Sequence, residues 1–330
     1  MPARLAIGVD AGGTKVQGLL VDTEEGTILH RRTLETPAED SEASLRAIVS
    51  VARELMDRGN NVLAVGVGAA GMVDRGGVMR FAPNVAWRDV PIRDEVAAAT
   101  GLPTVVDNDA NAAAWGEFRY GAGLEFNDML LVTVGTGIGG GTVSDGKLVR
   151  GAHGFAGEIG HIIVEPNGPR CGCGNLGCWE QVASGRALDR LGREAAQRQP
   201  ASTLARMANG DPQNVTGRLV SEAARNGDPV AIHVLAEVGR RLGEGIAGLV
   251  NVLDPEVVVV GGGVADVGDP LLDPLRRAFG ETVEAPQHRP HVPILRATLG
   301  NDAGAVGAAD LAVLELEEHD AHPKGEAFTG

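Results

Sequence analysis

RLAIGVDAGGTKVQGLLVD, residues 4–22, sets two apolar runs on either side of a glycine turn. Its Ile, Val and Leu content predicts a strand, a turn at AGGTK and a second strand. The same order recurs in DMLLVTVGTGIGGGTVSDGKLVRG, residues 128–151. Two copies of one supersecondary opening predict two related domains.

Outward from these copies, strands alternate with helices. Residues 41–58 carry apolar positions at Leu45, Ile48, Val49, Ala52, Leu55 and Met56, a helical face with Ser41 as expected cap and Gly59 as its stop. VLAVGVGAAG reads as a buried strand, PIRDEVAAATG as a short helix, PTVVDND as a strand and ANAAAWGEFRYG as a helix. A long helix is expected over residues 228–253, with a stripe of Leu235, Val238, Leu242, Ile246, Leu249 and Leu253. Gly239, Gly243 and Gly248 on it would admit a close neighbour. DPEVVVVGGGVAD follows as a buried strand running into a third glycine turn. The alternation predicts an α/β fold with a largely parallel sheet.

With 330 residues the chain is long enough for about two domains. Aromatics are only 3% and glycines number 48, so the cores must be built from Ala, Val, Leu and Ile. The net charge of −15 argues against a general nucleic-acid or anionic-membrane surface. An anionic substrate needs a local cradle. No apolar run is long enough to span a bilayer, and MPARLAIGVDAGG has no signal-like apolar region. Three clustered cysteines do not make a secreted disulfide framework, so the expected location is cytoplasmic.

AGGTK, GTGIGGG and GGGVA each follow an apolar strand, where backbone N–H groups can cradle phosphate oxygens. AGGTK lacks the spacing of a P-loop. Gly66, Gly68 and Gly71 match a dinucleotide fingerprint as a string, but MVDRGGVMR behind them is no helix opening. Asp10 ends the first strand and is a candidate magnesium ligand through water. Alternatively, Asp10 and Thr14 close the hairpin with their side chains.

VVDNDANAAAWGEF puts Asp107, Asn108 and Asp109 where a strand gives way to a helix. One Asp is expected to cap the helix. The other could take a proton from a substrate hydroxyl, the step phosphoryl transfer to an alcohol asks of a side chain. In RCGCGNLGCWE, residues 170–180, all three cysteines fall within eight positions. Cys171, Cys173 and Cys178 supply three thiolates, and His161 is the expected fourth zinc ligand, with His153 competing. Four protein ligands leave no open position, so such an ion is structural. Glu158, His161 and Glu180 together suit a ligand with several hydroxyls, such as a sugar.

DAGGTK, VDNDANAAAWGE, TVGTGIGGG, GEIGH and CGCGNLGCWE, in this order, resemble the ROK family of sugar kinases and repressors over roughly residues 5–315. The resemblance implies an actin-like ATPase/hexokinase type α/β fold, two α/β domains flanking a deep cleft, with a zinc-binding loop. It implies a small domain over 1–120 completed by a helix at about 302–316, and a large domain over 121–301. Hinges are expected near 116–128 and 300, and a flexible tail over 317–330. It implies ATP-dependent phosphorylation of glucose at the 6-hydroxyl with Asp109 as base, and Asn84, Asn108, Glu158, His161 and Glu180 as sugar ligands. Gly12, Thr14 and Lys15 match the first phosphate loop, Thr136 and Gly137 the second, and Gly262 and Gly263 the adenosine turn. Mg-ATP is the implied co-substrate, structural zinc the implied metal, and a homo-oligomer, dimer or tetramer, the implied assembly. The family's repressors carry a DNA-binding module before the first phosphate loop, and here Asp10 is reached almost at once. The remaining alternatives are another hexose or N-acetylmannosamine as acceptor, or a non-catalytic sugar-sensing regulator.

Overall fold

The computed structural model describes residues 3–321. Within them the chain forms two compact units. One takes Met1–Asn127, Gly141–Gly157 and Thr298–Gly330; the other takes Asp128–Gly140 and Glu158–Ala297. Residues 322–330, most of the expected tail, lie outside the described residues.

The first unit opens with β1 (Leu5–Ala11), β2 (Lys15–Asp22) and β3 (Thr27–Glu35), then helix α1 (Ser41–Met56) and strand β4 (Ala64–Ala69). Short strands β5 (Met72–Val73), β6 (Met79–Phe81) and β7 (Arg88–Val90) form a separate small sheet that the sequence did not announce. Helix α2 (Ile92–Thr100), strand β8 (Thr104–Asn108) and helix α3 (Asp109–Tyr120) follow. The main sheet has the order β3-β2-β1-β4-β8. The β1–β2 pair is antiparallel and β1–β4 and β4–β8 are parallel, so β4 and β8 end on the side of the first glycine turn. Strand β5 directly follows the Gly66–Gly71 stretch, which removes the dinucleotide-binding reading.

Helix α1 packs on one face of this sheet, where Ile48, Val51 and Leu55 join Ile7, Val9, Leu20, Val65 and Val67. Its cap is Asp40, not Ser41: the Asp40 carboxylate accepts from the Ala43 N–H, and the helix starts one residue later. A carboxylate at that place also meets the positive end of the helix dipole.

The second unit contains β9 (Met129–Val134) and the start of β10 (Ile138–Ser144), whose end belongs to the first unit together with β11 (Lys147–Leu148). Then come α4 (Glu180–Ala183), α5 (Gly185–Arg198), α6 (Thr203–Met207), α7 (Gly217–Arg225), α8 (Pro229–Leu253), β12 (Val257–Gly261), α9 (Asp269–Thr282) and β13 (Ile294–Arg296). The sheet order is β11-β10-β9-β12-β13. It repeats the first sheet's plan: the two strands of a glycine-turn opening, then two further strands added parallel beside the first of them.

Helix α8 is the scaffold of this unit. Leu235, Val238, Leu242 and Ile246 are fully buried in its core, whereas Leu253 is exposed because the helix stops there. Burial of each such side chain contributes about 1.5–3 kcal/mol. Gly239 and Gly243 face the backbone carbonyls of Leu271 and Leu275, so any Cβ there would push α9 away. Gly248 meets nothing, and Gly245 takes the third close approach instead, against the Trp179 ring.

Helix α10 (Ala303–Ala321) returns the chain to the first unit. It runs past the expected 302–316 and packs on α3, β1 and β4. Ala305, Val306, Ala309 and Val313 meet Ala6, Leu19 and Val21 on the sheet face opposite α1. Asp310 of α10, itself buried, accepts from the Trp115 indole N–H (2.7 Å), the Arg119 guanidinium (3.0 Å) and the Tyr120 hydroxyl (2.5 Å), all on α3.

Candidate active site and metal cluster

In the first unit, the β1–β2 turn is closed by the Gly12 N–H on the Lys15 carbonyl at 3.0 Å. Thr36 holds it from outside: its hydroxyl donates to the Gly12 carbonyl (2.7 Å) and its N–H to the Thr14 carbonyl (3.1 Å). These groups do the closing that Asp10 and Thr14 side chains were offered for. The Lys15 ammonium donates to Gln17 at 2.9 Å, and Gln17 donates to Asp302 at 2.8 Å. Asn84 is exposed and its Cβ lies against Gly13, so it stands beside this turn.

Asp10 faces Gly304 at the start of α10. Burial, reinforced by the negative charge of Asp109 and opposed by Lys15, pushes its carboxyl up to about 7. Asp10 and Asp109 are therefore electrostatic neighbours. Burial also raises Asp109, against hydrogen bonds from the backbone N–H groups of Ala110 and Asp109 and from Asn108. A base with a raised pKa is a stronger proton acceptor, and Asp109 is the first residue of α3.

Neither Asp caps α3. The cap is Asn108, whose Oδ1 accepts from the N–H groups of Ala110 (2.9 Å) and Asn111 (3.1 Å). Its Nδ2 donates to the Gly71 carbonyl at 3.0 Å, and the same side chain also holds the Asp109 carboxylate. Asp107 is buried and paired with Arg150 at 2.5 Å, a partner 43 residues away that sequence spacing could not announce. Glu117, also buried, was missed for the same reason: its acceptors are used by Ala122, Thr298 and Leu299.

In the second unit, three turns meet. Gly262, with φ of 86°, lies against Val134, and a Cβ there would sit 2.5 Å from the Val134 carbonyl oxygen. The Val264 N–H donates to that carbonyl at 3.0 Å. The Gly185 and Arg186 N–H groups, at the start of α5, donate to the carbonyls of Gly135 (2.8 Å) and Thr136 (3.4 Å). Thr136 and Gly137, Gly262 and Gly263, and the start of α5 therefore form one cradle. The role of α5 was not foreseen.

The candidate metal-ligand cluster lies in the same unit. One ligand atom each from His161, Cys171, Cys173 and Cys178 falls within 4.8 Å of the others. The Cys173 and Cys178 sulfurs are 3.6 Å apart, and His161 Nδ1 is 3.6 Å from the Cys171 sulfur. Zinc bond lengths imply tetrahedral edges of about 3.3–3.8 Å, so the set fits that ion. Among the described residues His161, not His153, completes it. Burial pushes the Cys171 thiol up to about 12 and raises Cys178 as well, whereas at Cys173 burial is outweighed by hydrogen bonds from Asn175 and the neighbouring thiols, which lower it. A cation beside the set would therefore favour the Cys171 and Cys178 thiolates.

His161 turns its other nitrogen, Nε2, toward Glu158 at 3.9 Å. The Cys171 sulfur lies 3.1 Å from Glu180 Oε1, and Glu180 Oε2 lies against Gly137. One loop thus joins the cysteine cluster, two carboxylates and an imidazole to the second glycine turn.

Doubled sheets with glycine turns at matching strand ends define an actin-like ATPase fold of the hexokinase type. The ROK family model matches residues 6–315, and the chain belongs to that family. It is 47% identical to a glucokinase of Streptomyces coelicolor over 93% of this chain and 97% of that one. The structure of a ROK glucokinase from Streptomyces griseus in complex with glucose and AMPPNP superposes with a TM-score of 0.84, at 48% identity over 94% and 99% of the two chains. A ROK hexokinase from Thermus thermophilus gives 0.80 at 37% identity over 95% and 99%. Among the described residues no helix is long and apolar enough to cross a membrane.

Proposed function

We propose that the protein is an ATP-dependent glucokinase that transfers the γ-phosphoryl group of ATP to the 6-hydroxyl of glucose. The 47% identity to a curated glucokinase supports the activity and the substrate. The observation that carries the mechanism is the Asp109 carboxylate, raised by burial at the start of α3 and electrostatically coupled to Asp10 beside the first glycine turn.

Asp109 accepts the 6-hydroxyl proton as the oxygen attacks the γ-phosphorus and ADP leaves. Asn108, which holds the Asp109 carboxylate, and Asn84 are sugar ligands. Glu158, Glu180 and the Nε2 side of His161 are further hydroxyl ligands. N–H groups of the Gly12–Thr14 turn and Lys15 bind phosphate oxygens, as do Thr136 and Gly137, and Gly262 and Gly263 take the adenosine. Asp10 would hold magnesium, which supplies charge neutralisation on the phosphates. His161, Cys171, Cys173 and Cys178 would hold zinc, which fixes the loop carrying Glu180.

The clustered reduced cysteines support a cytoplasmic location. The protein assembles as a homo-oligomer, a dimer or tetramer, which sedimentation measures. The direct test is ADP release from Mg-ATP with glucose, mannose, fructose, N-acetylmannosamine or no sugar. Glucose-dependent release above the other sugars is expected. Release only with another sugar would change the substrate, and no release with any sugar would overturn the kinase reading.

A further inference from the structure

The geometry points to Asp107 and Arg150 as a positioning pair that sets the place of the base, an inference that rests on Asp109 being that base. Both residues belong to the first unit, although Arg150 comes from Gly141–Gly157, a segment the chain inserts between two stretches of the second. Arg150 Nε donates to Asp107 Oδ2 at 2.5 Å. The other oxygen, Oδ1, accepts from the Asn108 N–H at 2.8 Å and from Asn111 Nδ2 at 2.9 Å. One carboxylate thus grips the residue before Asp109 and the residue two places after it.

Asn108 closes the ring by accepting from the N–H groups of Ala110 and Asn111. Asn108 also holds the Asp109 carboxylate, so the ring of Asp107, Asn108 and Asn111 sets where that carboxylate lies. The Asp107 side chain is 7% exposed, and among the described residues its only ion pair is with Arg150. The inserted segment is itself anchored: Arg75 donates to the Gly151 carbonyl from Nε (3.0 Å) and Nη2 (2.6 Å).

A cavity of about 280 Å³, lined by Val73, Arg93, Val105, Asp107, Arg150 and Glu315 among others, lies beside the pair. It gives the Asp107 carboxylate somewhere to turn once Arg150 is gone, because a buried unpaired carboxylate moves toward water or takes a proton. Either change releases the Asn108 and Asn111 hydrogen bonds. A displacement of the base by about 1 Å is enough to cost about 100-fold in rate.

The test uses the full-length zinc-loaded protein and the variants Arg150→Met, Arg150→Lys, Asp107→Asn, Asp107→Asn with Arg150→Met, and Asp109→Asn. Glucose titration counts binding-competent sites, and kcat is expressed per such site. Arg150→Met and Asp107→Asn are each expected to lower kcat about 10–100-fold while the KM for glucose moves less than about 5-fold. The double variant should be no worse than the poorer single one, and Arg150→Lys should recover part of the rate. A merely structural role would lower the number of competent sites and leave kcat per site unchanged. Rates per site within about 2-fold of the parent in both Arg150 variants, or multiplicative effects in the double variant, would overturn the pair. Should Arg150→Met fail to fold, Arg150→Lys and Asp107→Asn carry the same comparison. Full turnover in Asp109→Asn would sink the base assignment itself; an inactive Asp109→Asn with normal Arg150 variants would sink only the positioning pair.

Discussion

Thr298 donates twice to Glu117, through its N–H at 3.1 Å and its hydroxyl at 3.3 Å, across 181 residues of chain. The Leu299 N–H donates to the other carboxylate oxygen, Oε1, at 2.7 Å, and the Ala122 N–H joins Thr298 on Oε2 at 3.0 Å. The chain first leaves the first unit after Asn127 and makes its last return at Thr298, so one buried side chain ties Ala122, shortly before that departure, to that return. Glu117→Gln replaces an acceptor with an amide that turns hydrogens toward hydrogens. It should cost about 2–4 kcal/mol, since charged acceptors are each worth more than neutral ones. A melting temperature within about 1 °C of the parent would show that the carboxylate holds nothing there.

Asp109→Asn keeps the shape of the side chain and removes its capacity to take a proton. Turnover should fall about 100–10,000-fold, the usual contribution of a positioned base, while glucose still binds. Calorimetric titration separates the two quantities. Loss of binding together with turnover would make Asp109 a sugar ligand first and a base second.

What the sequence made legible was what local chemistry demands. Three thiols within eight residues suit a thiophilic cation, and His161 lies where it can close the set. Gly239 and Gly243 stand where α9 crosses, and only their spacing was needed to expect a neighbour. Caps were harder, because Asp40 and Ser41, or Asp107, Asn108 and Asp109, are adjacent candidates whose ranking is nearly equal. Backbone entry angle decides among them, and that angle is set by the sheet. Asp107, Glu117 and Asp310 were opaque for a different reason. A carboxylate on a strand or helix reads as solvated until its partners are known, and Arg150, Thr298 and the α3 side chains lie 43 to 195 residues away.

Removal of zinc should weaken the second unit's loop before the rest of the fold. Cys171 lies against Glu180, and His161 turns from the thiols toward Glu158, so the cluster and the proposed sugar ligands share side chains. Chelation of purified protein, followed by metal analysis, should lower the melting temperature and weaken glucose binding at least about 10-fold, as loss of ligand support at metal sites does. Restored zinc should restore both. Unchanged affinity after verified metal loss would separate the loop from sugar recognition.

Asp10→Asn should stabilise the ligand-free protein and inactivate it. In the native state Asp10 releases its proton near pH 7, because burial and then the Asp109 charge disfavour the carboxylate; its ordinary value is 3.8. Between those values the folded protein holds more protons than the unfolded chain, so the Asp10 contribution to stability falls as pH rises. Below about pH 4 both states are protonated and the side chain costs nothing. Above about pH 7 the ionised group is a penalty of at most about 4 kcal/mol, reduced by whatever water reaches it. The gain from Asn should therefore be near zero at about pH 4 and largest at about pH 8. Melting curves of both proteins across that range measure it. A gain that does not change with pH would mean that Asp10 titrates near its ordinary value, and that the first glycine turn does not hold a carboxylate waiting for a cation.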